Sequence, residues 1–201
     1  KVGGSMFLDQ GFSATGAIRL LNADITGPLS CRSAQLTGRD GSGDSFVADR
    51  IKVGGSMFLD QGFTAAGAIR LLGADIAGRL QCSSAKLTGT DDNGNALFGD
   101  GMKVGGSVVL NKGFTAAGAV SISAARIGGS VSLSGAEFAD PVALRAEGIH
   151  IAGQLYWAPR SPVRGLVDLE RAEVHRLDDD WSLPDAHWSP AGLLRLAGFT
   201  Y

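Results

Sequence analysis

The sequence repeats itself with a period of 51 residues. Residues 1–51 return as residues 52–102 without a gap, and 33 of the 51 positions are identical. A third and more diverged copy begins at Lys103. Repeats of this kind are single supersecondary units that bury their apolar sides by stacking on their neighbours. The period therefore predicts one continuous solenoid.

A shorter rhythm runs inside each 51-residue unit. A glycine precedes a short run in which apolar residues alternate with polar or small ones, and these glycines lie 23, 28, 23 and 24 residues apart at Gly55, Gly78, Gly106, Gly129 and Gly153. Alternation with period two is typical of β-strands, and Ile, Val, Thr and Ser are frequent. Helices have no room, because glycine interrupts the chain every 11 or 12 residues.

Stacked coils decide the expected architecture. The sequence predicts an all-β, right-handed parallel β-helix with about 23 residues per coil and two coils in each 51-residue unit, one of them carrying an insertion. Coils stack at about 4.8 Å, so about eight of them give a rod near 40 Å long. Phe12, Phe63 and Phe114 share one repeat position and should line up along a common axis.

Composition and charge narrow the class of protein. Apolar residues make up 44% and charged residues 19% of the chain, which suits a packed solenoid. The net charge of −2 provides no basic surface for nucleic acid and is too small for a mimic of DNA. No stretch approaches the roughly 18 apolar residues of a membrane span. Because Lys1 falls inside the repeat, we expect a longer protein, with any membrane segment outside these residues.

Cys31 and Cys82 occupy the same position in successive repeats. Two coils separate their Cα atoms by roughly 9 to 10 Å, whereas a disulfide needs less than about 7 Å. The sequence therefore predicts two free thiols, each a small side chain in a column of the core.

The insertion loops, residues 39–45 and 90–96, are rich in Asp, Asn, Gly and Ser. Asp91, Asn93 and Asn95 alternate in the manner of calcium ligands and are metal candidates. The closing bidentate Glu is missing, and Gly94 is offset from the position that a calcium loop requires. Turn formation explains the same residues equally well, so both interpretations stay open.

The repeat pattern decays after Leu169. A solenoid end exposes unpaired strand groups and an apolar cross-section, which a final segment with Trp181 and Trp188 can cover. We expect a solenoid over 1–177, made of repeats 1–51, 52–102 and 103 to about 153 and a degenerate coil, and a capping segment over 178–201.

Two resemblances follow from these motifs. Ala74–Gly78 and Ala85–Gly89 resemble the five-residue unit of pentapeptide-repeat proteins, which implies a right-handed quadrilateral β-helix, although the spacing of five is not sustained. The 51-residue unit, through Val53–Leu59, Gly62–Ala74 and the closing Leu194–Tyr201, is similar to large bacterial repeat proteins that are often labelled membrane-associated oxidoreductases. This second resemblance implies a β-helical region of a larger bacterial protein, cytoplasmic or membrane-associated, and it transfers no catalytic residues.

The sequence favours a non-enzymatic scaffold or protein-interaction module that uses no cofactor. Equivalent residues recur one repeat apart, and we expect them to point outward in columns: Arg19 and Arg70, Asp9 and Asp60, and Gln10 and Gln61. The arginines and aspartates are our candidates for an interaction face. A protein partner or a second copy would bind through the faces or ends of the solenoid.

A polysaccharide-binding or polysaccharide-cleaving β-helix is the alternative. Cleavage requires carboxylates clustered on one face, and the repeats place few acids at outward strand positions. Redox chemistry would need a nucleotide-binding glycine motif between a strand and a helix, and the sequence has none. An ice-binding surface would need a regular threonine array, for which Thr37 and Thr88 are too sparse.

Overall fold

The computed structural model describes residues 1–9, 11–139, 141–180, 182 and 187–201. The described residues form short strands that pair in parallel, and they form no α-helix. Through most of the chain successive coils visit four faces in the same order, so their strands stack in four columns, and toward the C-terminal end the third face has no further described strand. The predicted all-β parallel solenoid of about eight coils is confirmed. The hand of its winding stays a prediction.

Faces I and II belong to one sheet, which two long strands join at the C-terminal end. Face I contains β4 (Asp24–Ile25), β8 (Lys52–Val53), β12 (Asp75–Ile76), β16 (Lys103–Val104), β20 (Arg126–Ile127) and the first halves of β24 (His150–Trp157) and β26 (Glu173–Asp179). Face II contains β1 (Met6–Phe7), β5 (Leu29–Ser30), β9 (Met57–Phe58), β13 (Leu80–Gln81), β17 (Val108–Val109), β21 (Val131–Ser132) and the second halves of β24 and β26.

Faces III and IV are separate sheets. Face III contains β2 (Ser13–Ala14), β6 (Gln35–Leu36), β10 (Thr64–Ala65), β14 (Lys86–Leu87), β18 (Thr115–Ala116) and β22 (Glu137–Phe138). Face IV contains β3 (Ile18–Arg19), β7 (Asp44–Val47), β11 (Ala68–Arg70), β15 (Asn95–Phe98), β19 (Ala119–Ser121), β23 (Val142–Arg145), β25 (Leu166–Asp168) and β27 (Leu194–Arg195).

The register confirms the two alternating coil lengths. Along face II, Met6 pairs with Leu29, Leu29 with Met57, and Met57 with Leu80, so partners lie 23, 28 and 23 residues apart. The longer coils carry their extra residues between faces III and IV, where the two insertion loops lie. Short and long coils can stack because the insertion leaves the four strand positions of the coil in register.

Aromatic and small side chains alternate along one column of the core. Phe63 and Phe114 are fully buried, and Ala85 lies between them at the same position of the intervening coil. Phe12 belongs to the same column through Gln35, whose N–H donates to the Phe12 carbonyl at 2.9 Å. The expected alignment of the three phenylalanines is therefore confirmed. A ring above an alanine fills the narrow interior without a clash, because large and small side chains take turns.

Close contact between coils requires glycine at some corners. At Gly89, a Cβ atom would collide with the carbonyl oxygen of Ala66 in the preceding coil. At Gly41 in the first insertion loop, by contrast, no atom lies within 4 Å of such a Cβ atom. Coil stacking therefore requires glycine at position 89 but not at position 41.

Aromatic side chains extend the core toward the C-terminal end. The Trp157 indole is fully buried, and the Trp188 ring stacks on it with the centroids 4.2 Å apart. Trp188 Nε1 donates to Asp179 Oδ2 at 3.2 Å, which fixes the outer ring. Trp181, the other tryptophan expected in the cap, lies outside the described residues. The division into a solenoid, 1–177, and a cap, 178–201, stays a prediction.

Candidate interaction faces

Face I carries a continuous column of charged or titratable side chains. In each strand of this face the second residue, such as Val104, points into the core, and the residue before it, such as Lys103, points outward. The register aligns seven of these outward residues, which we call the charged ladder: Asp24, Lys52, Asp75, Lys103, Arg126, His150 and Glu173. Consecutive members lie one strand spacing apart, or about 4.8 Å.

The charges of this ladder alternate in sign from Asp24 to Lys103, and then two cations follow each other. Within the described part of the chain, no carboxylate lies within 4.0 Å of the Lys103 ammonium or the Arg126 guanidinium. His150 Nδ1, by contrast, lies 3.1 Å from Glu173 Oε2. Lys103 and Arg126 thus form a positive stretch with no ion-paired carboxylate among the described residues, and Asp75 and Glu173 are the acids that follow on its two sides in the ladder.

Three shallow depressions adjoin the ladder and share His150 in their lining. One, of about 360 Å³, runs along the rod between Asp75 and His150, and its floor includes Ala77, Gly105 and Gly128. The second, of about 450 Å³, lies between His150 and Tyr201, and the third, of about 490 Å³, includes Arg126. The charged side chains therefore border open space into which groups of a partner can reach.

Arg19 and Arg70 lie in the outward column of face IV, with Val47 between them. Each guanidinium is already engaged within the protein. Arg19 Nη1 donates to Asp40 Oδ2 at 2.7 Å, and Arg70 Nε donates to the Asp49 carboxylate at 2.9 and 3.0 Å. The two arginines share one column, but their charges are neutralised locally, so face IV presents less free charge than face I.

Asp9 and Asp60 lie at the corner after face II. Asp9 Oδ1 accepts hydrogen bonds from Ser30 Oγ at 2.8 Å and from the Arg32 N–H at 2.6 Å. Arg32 Nε donates to Asp60 Oδ1 at 3.2 Å, and Asp60 is only 7% exposed. Burial raises the pKa of Asp60, although the Arg32 guanidinium opposes that shift. The Arg32 side chain of the intervening coil thus covers Asp60, and the assignment of the two aspartates to an interaction face stays a prediction.

Glutamines recur at this corner as well. Gln61 is exposed and has a left-handed backbone conformation with φ of 54°. Its repeat equivalent, Gln10, lies outside the described residues.

The second insertion loop uses its polar side chains to hold its own backbone. Asp91 Oδ1 accepts from the N–H groups of Asn93 and Asn95 at 2.9 and 2.8 Å. The Asn95 amide donates to Asp91 Oδ2 at 3.0 Å and accepts from Arg145 Nη1 at 2.7 Å. In the structure these oxygens accept hydrogen bonds from the loop's own backbone and from neighbouring side chains. Among the described residues, no group of three or more His, Cys, Asp or Glu side chains could hold a metal ion.

The first insertion loop contains a buried carboxylate. Asp44 is 3% exposed, and its Oδ1 atom has no hydrogen-bond partner among the described residues. Burial raises the pKa of Asp44 to about 6, and the neighbouring negative charge of Asp40 contributes less in the same direction. The nearest cation is Arg70, whose Nη1 atom lies 4.0 Å from Asp44 Oδ2. No sequence signal singles out Asp44, because burial of the loop depends on the coil stacked beside it.

Both cysteines are buried and free, as predicted. Burial, with a smaller contribution from Asp9, raises the pKa of the Cys31 thiol to about 12. Burial likewise raises the pKa of Cys82. Because both thiols remain protonated and covered, they behave as packing groups of the core.

Comparison with protein-family models, with curated proteins and with solved structures finds no match to this chain. A membrane-spanning helix, which needs a long apolar stretch, is not found among the described residues. The assignment of a function must therefore start from the faces of the solenoid.

Proposed function

We propose that this chain is a non-enzymatic scaffold that binds a protein partner on face I. The observation that carries the proposal is the positive stretch formed by Lys103 and Arg126, whose charges have no carboxylate within ion-pair distance among the described residues. Elsewhere the described ladder alternates in sign or pairs its groups. A partner with acidic groups would supply the missing counter-charges.

The backbone of the solenoid makes this face a suitable docking surface. Lys103 and Arg126 begin strands that pair with neighbours on both sides, so the spacing of their Cα atoms is fixed. The fixed backbone loses little conformational entropy when a partner binds, and complementary charges steer the encounter. The flat sheet and the adjoining depressions give the partner an approach along the length of the rod.

A polysaccharide-binding function is the second candidate, and one observation favours it. Tyr201 is 78% exposed and lines the depression that contains His150. An exposed aromatic ring beside a depression can stack against the apolar face of a sugar. A glycan panel separates the two candidates, because the scaffold proposal predicts no retained carbohydrate.

Photo-cross-linking in cells that contain the natural protein tests the proposal. A photoreactive amino acid replaces Ala152, an exposed residue beside the ladder, and in a matched control it replaces Thr115 on face III. We expect a discrete protein adduct at position 152 and none at position 115. Equal labelling at both positions, or no protein adduct at position 152, would overturn the proposal.

A further inference from the structure

We infer that the partner contributes an extended acidic peptide segment whose carboxylates pair with Lys103 and Arg126. This inference rests on the proposed function and names the chemistry that face I recognises. The two cations occupy consecutive coils of face I and both side chains are exposed. Their like charges repel at this spacing, and an anion placed between them relieves that repulsion.

The neighbouring charges favour a peptide over a uniformly anionic polymer. Asp75 lies one coil from Lys103 on one side, and Glu173 lies two coils from Arg126 on the other. A nucleic acid or an acidic polysaccharide would place negative groups against both of these acids. A peptide can carry acidic residues at its centre and basic residues at its ends, which matches the signs along the face.

The spacing of an extended peptide fits this arrangement. Residues i and i+2 of an extended chain point to the same side and lie about 6.4 to 6.8 Å apart. The ladder positions lie about 4.8 Å apart, and the flexible lysine and arginine side chains can span the difference. Two acids at i and i+2 therefore reach Lys103 and Arg126, while basic residues farther out reach Asp75 and Glu173.

Single exposed ion pairs are weak, typically about 0.2–1 kcal/mol, so several must act together. The depression beside Lys103 and Arg126 adds room for the peptide backbone, because its floor includes the exposed Gly105 and Gly128. The inferred binding is accordingly modest in affinity and sensitive to salt.

Fluorescence anisotropy with a labelled synthetic peptide tests the inference. The probe has two glutamates separated by one residue at its centre and lysines toward both ends, and a second probe has the signs reversed. We expect the first probe to bind at low salt and to lose at least tenfold in affinity with the double variant Lys103→Glu/Arg126→Glu. The double variant should instead prefer the sign-reversed probe.

Matched variants keep the result interpretable. Lys86→Glu reverses one positive charge at the exposed position of β14 on face III and should leave binding unchanged. Lys103→Gln/Arg126→Gln removes the positive stretch without adding acids, so its loss of binding does not depend on new repulsion. Equal binding by the wild type and both double variants would overturn the inference, as would equal displacement of the probe by polygalacturonate and by unlabelled peptide.

The outcome also separates this inference from the proposed function. A protein adduct at position 152 together with no binding of the acidic probe would overturn the acidic segment and leave the scaffold standing. No adduct and no binding would overturn both.

Discussion

Asn95 occupies in the second repeat the position that Asp44 occupies in the first, and only the asparagine has both of its polar atoms satisfied. Asn95 donates to Asp91 Oδ2 at 3.0 Å and accepts from Arg145 Nη1 at 2.7 Å. Among the described residues Asp44 Oδ1 is buried without a hydrogen-bond partner, and Asp44 Oδ2 lies 4.0 Å from Arg70 Nη1. The repeat thus contains its own comparison between a charged and a neutral side chain at one buried site.

This comparison predicts that Asp44→Asn stabilises the protein at neutral pH. A carboxyl whose folded pKa is raised from 3.8 to about 6 destabilises the folded state when it is ionised. That penalty is absent below the unfolded pKa, grows as the pH rises from the unfolded to the folded pKa, and is fully present above the folded pKa. Two pKa units correspond to about 2–3 kcal/mol at pH 7.5. Urea unfolding at pH 7.5 and pH 4 measures the gain, which should be largest at the higher pH.

The reciprocal variant Asn95→Asp serves as the control for this prediction. It places a second carboxylate beside Asp91, and the Arg145 guanidinium offsets part of that repulsion, so we expect a destabilisation at pH 7.5 that is smaller than the gain from Asp44→Asn and diminishes toward pH 4. An Asp44→Asn variant that is no more stable than the wild type at pH 7.5 would contradict the conclusion that burial destabilises the ionised Asp44 carboxylate.

The two cysteines should resist thiol reagents in the folded protein. Both side chains are buried, and burial keeps the Cys31 thiol protonated by raising its pKa to about 12. The thiolate is the reactive form, so modification should require unfolding of the surrounding coils. Absorbance with an aromatic disulfide reagent at pH 8 should show slow release that accelerates sharply in urea. Rapid reaction of both thiols without denaturant would show that the core columns are open.

The alternating aromatic column predicts a large effect from a single truncation. Phe63→Ala places three small side chains in succession and leaves a cavity, so the free energy of unfolding should fall by about 3–5 kcal/mol. Phe7→Ala is the control, because Phe7 is 65% exposed and its loss should change stability by only about 0.5 kcal/mol. Similar effects of the two substitutions, measured by urea unfolding, would contradict the assigned packing.

A pair of glycine substitutions tests the close approach of coils. Gly89→Ala forces a methyl group against the backbone of Ala66 and should destabilise the solenoid by about 1–3 kcal/mol. Gly41→Ala, at an exposed position of the first insertion loop, meets no neighbouring atom and should leave the thermal midpoint nearly unchanged. Thermal unfolding followed by circular dichroism compares the two, and a neutral Gly89→Ala would show that the coils are less tightly stacked than described.

The sequence predicted the features that depend on the coil period. Residues one repeat apart must occupy the same column, so the alignment of Phe63 with Phe114 and the separation of Cys31 from Cys82 follow from the period alone. The strand pattern is equally direct, because an apolar residue such as Val104 must point inward when its neighbour Lys103 points outward.

The features that escaped prediction depend on contacts between different coils. The repeat pattern alone predicts that Asp60 is an exposed outward residue. The stacking of the neighbouring coil places Arg32 over it. The lack of an ion-pair partner for Lys103 and Arg126 within the described part of the chain likewise depends on which side chains lie within reach on face I. An alternating charge at the first position of face I strands, as in Lys52, Asp75 and Lys103, is the sequence signal that could have revealed the ladder.

Pairwise distances between spin labels along the charged ladder test the stacking of coils most directly. Labels at Glu173 and, in turn, at Asp24, Lys52 and Asp75 are separated by six, five and four strand spacings of face I. The account predicts that double electron–electron resonance distances fall in steps of about 4.8 Å, from about 29 Å to about 24 Å and about 19 Å. Distances that do not shorten by one strand spacing per coil would contradict it.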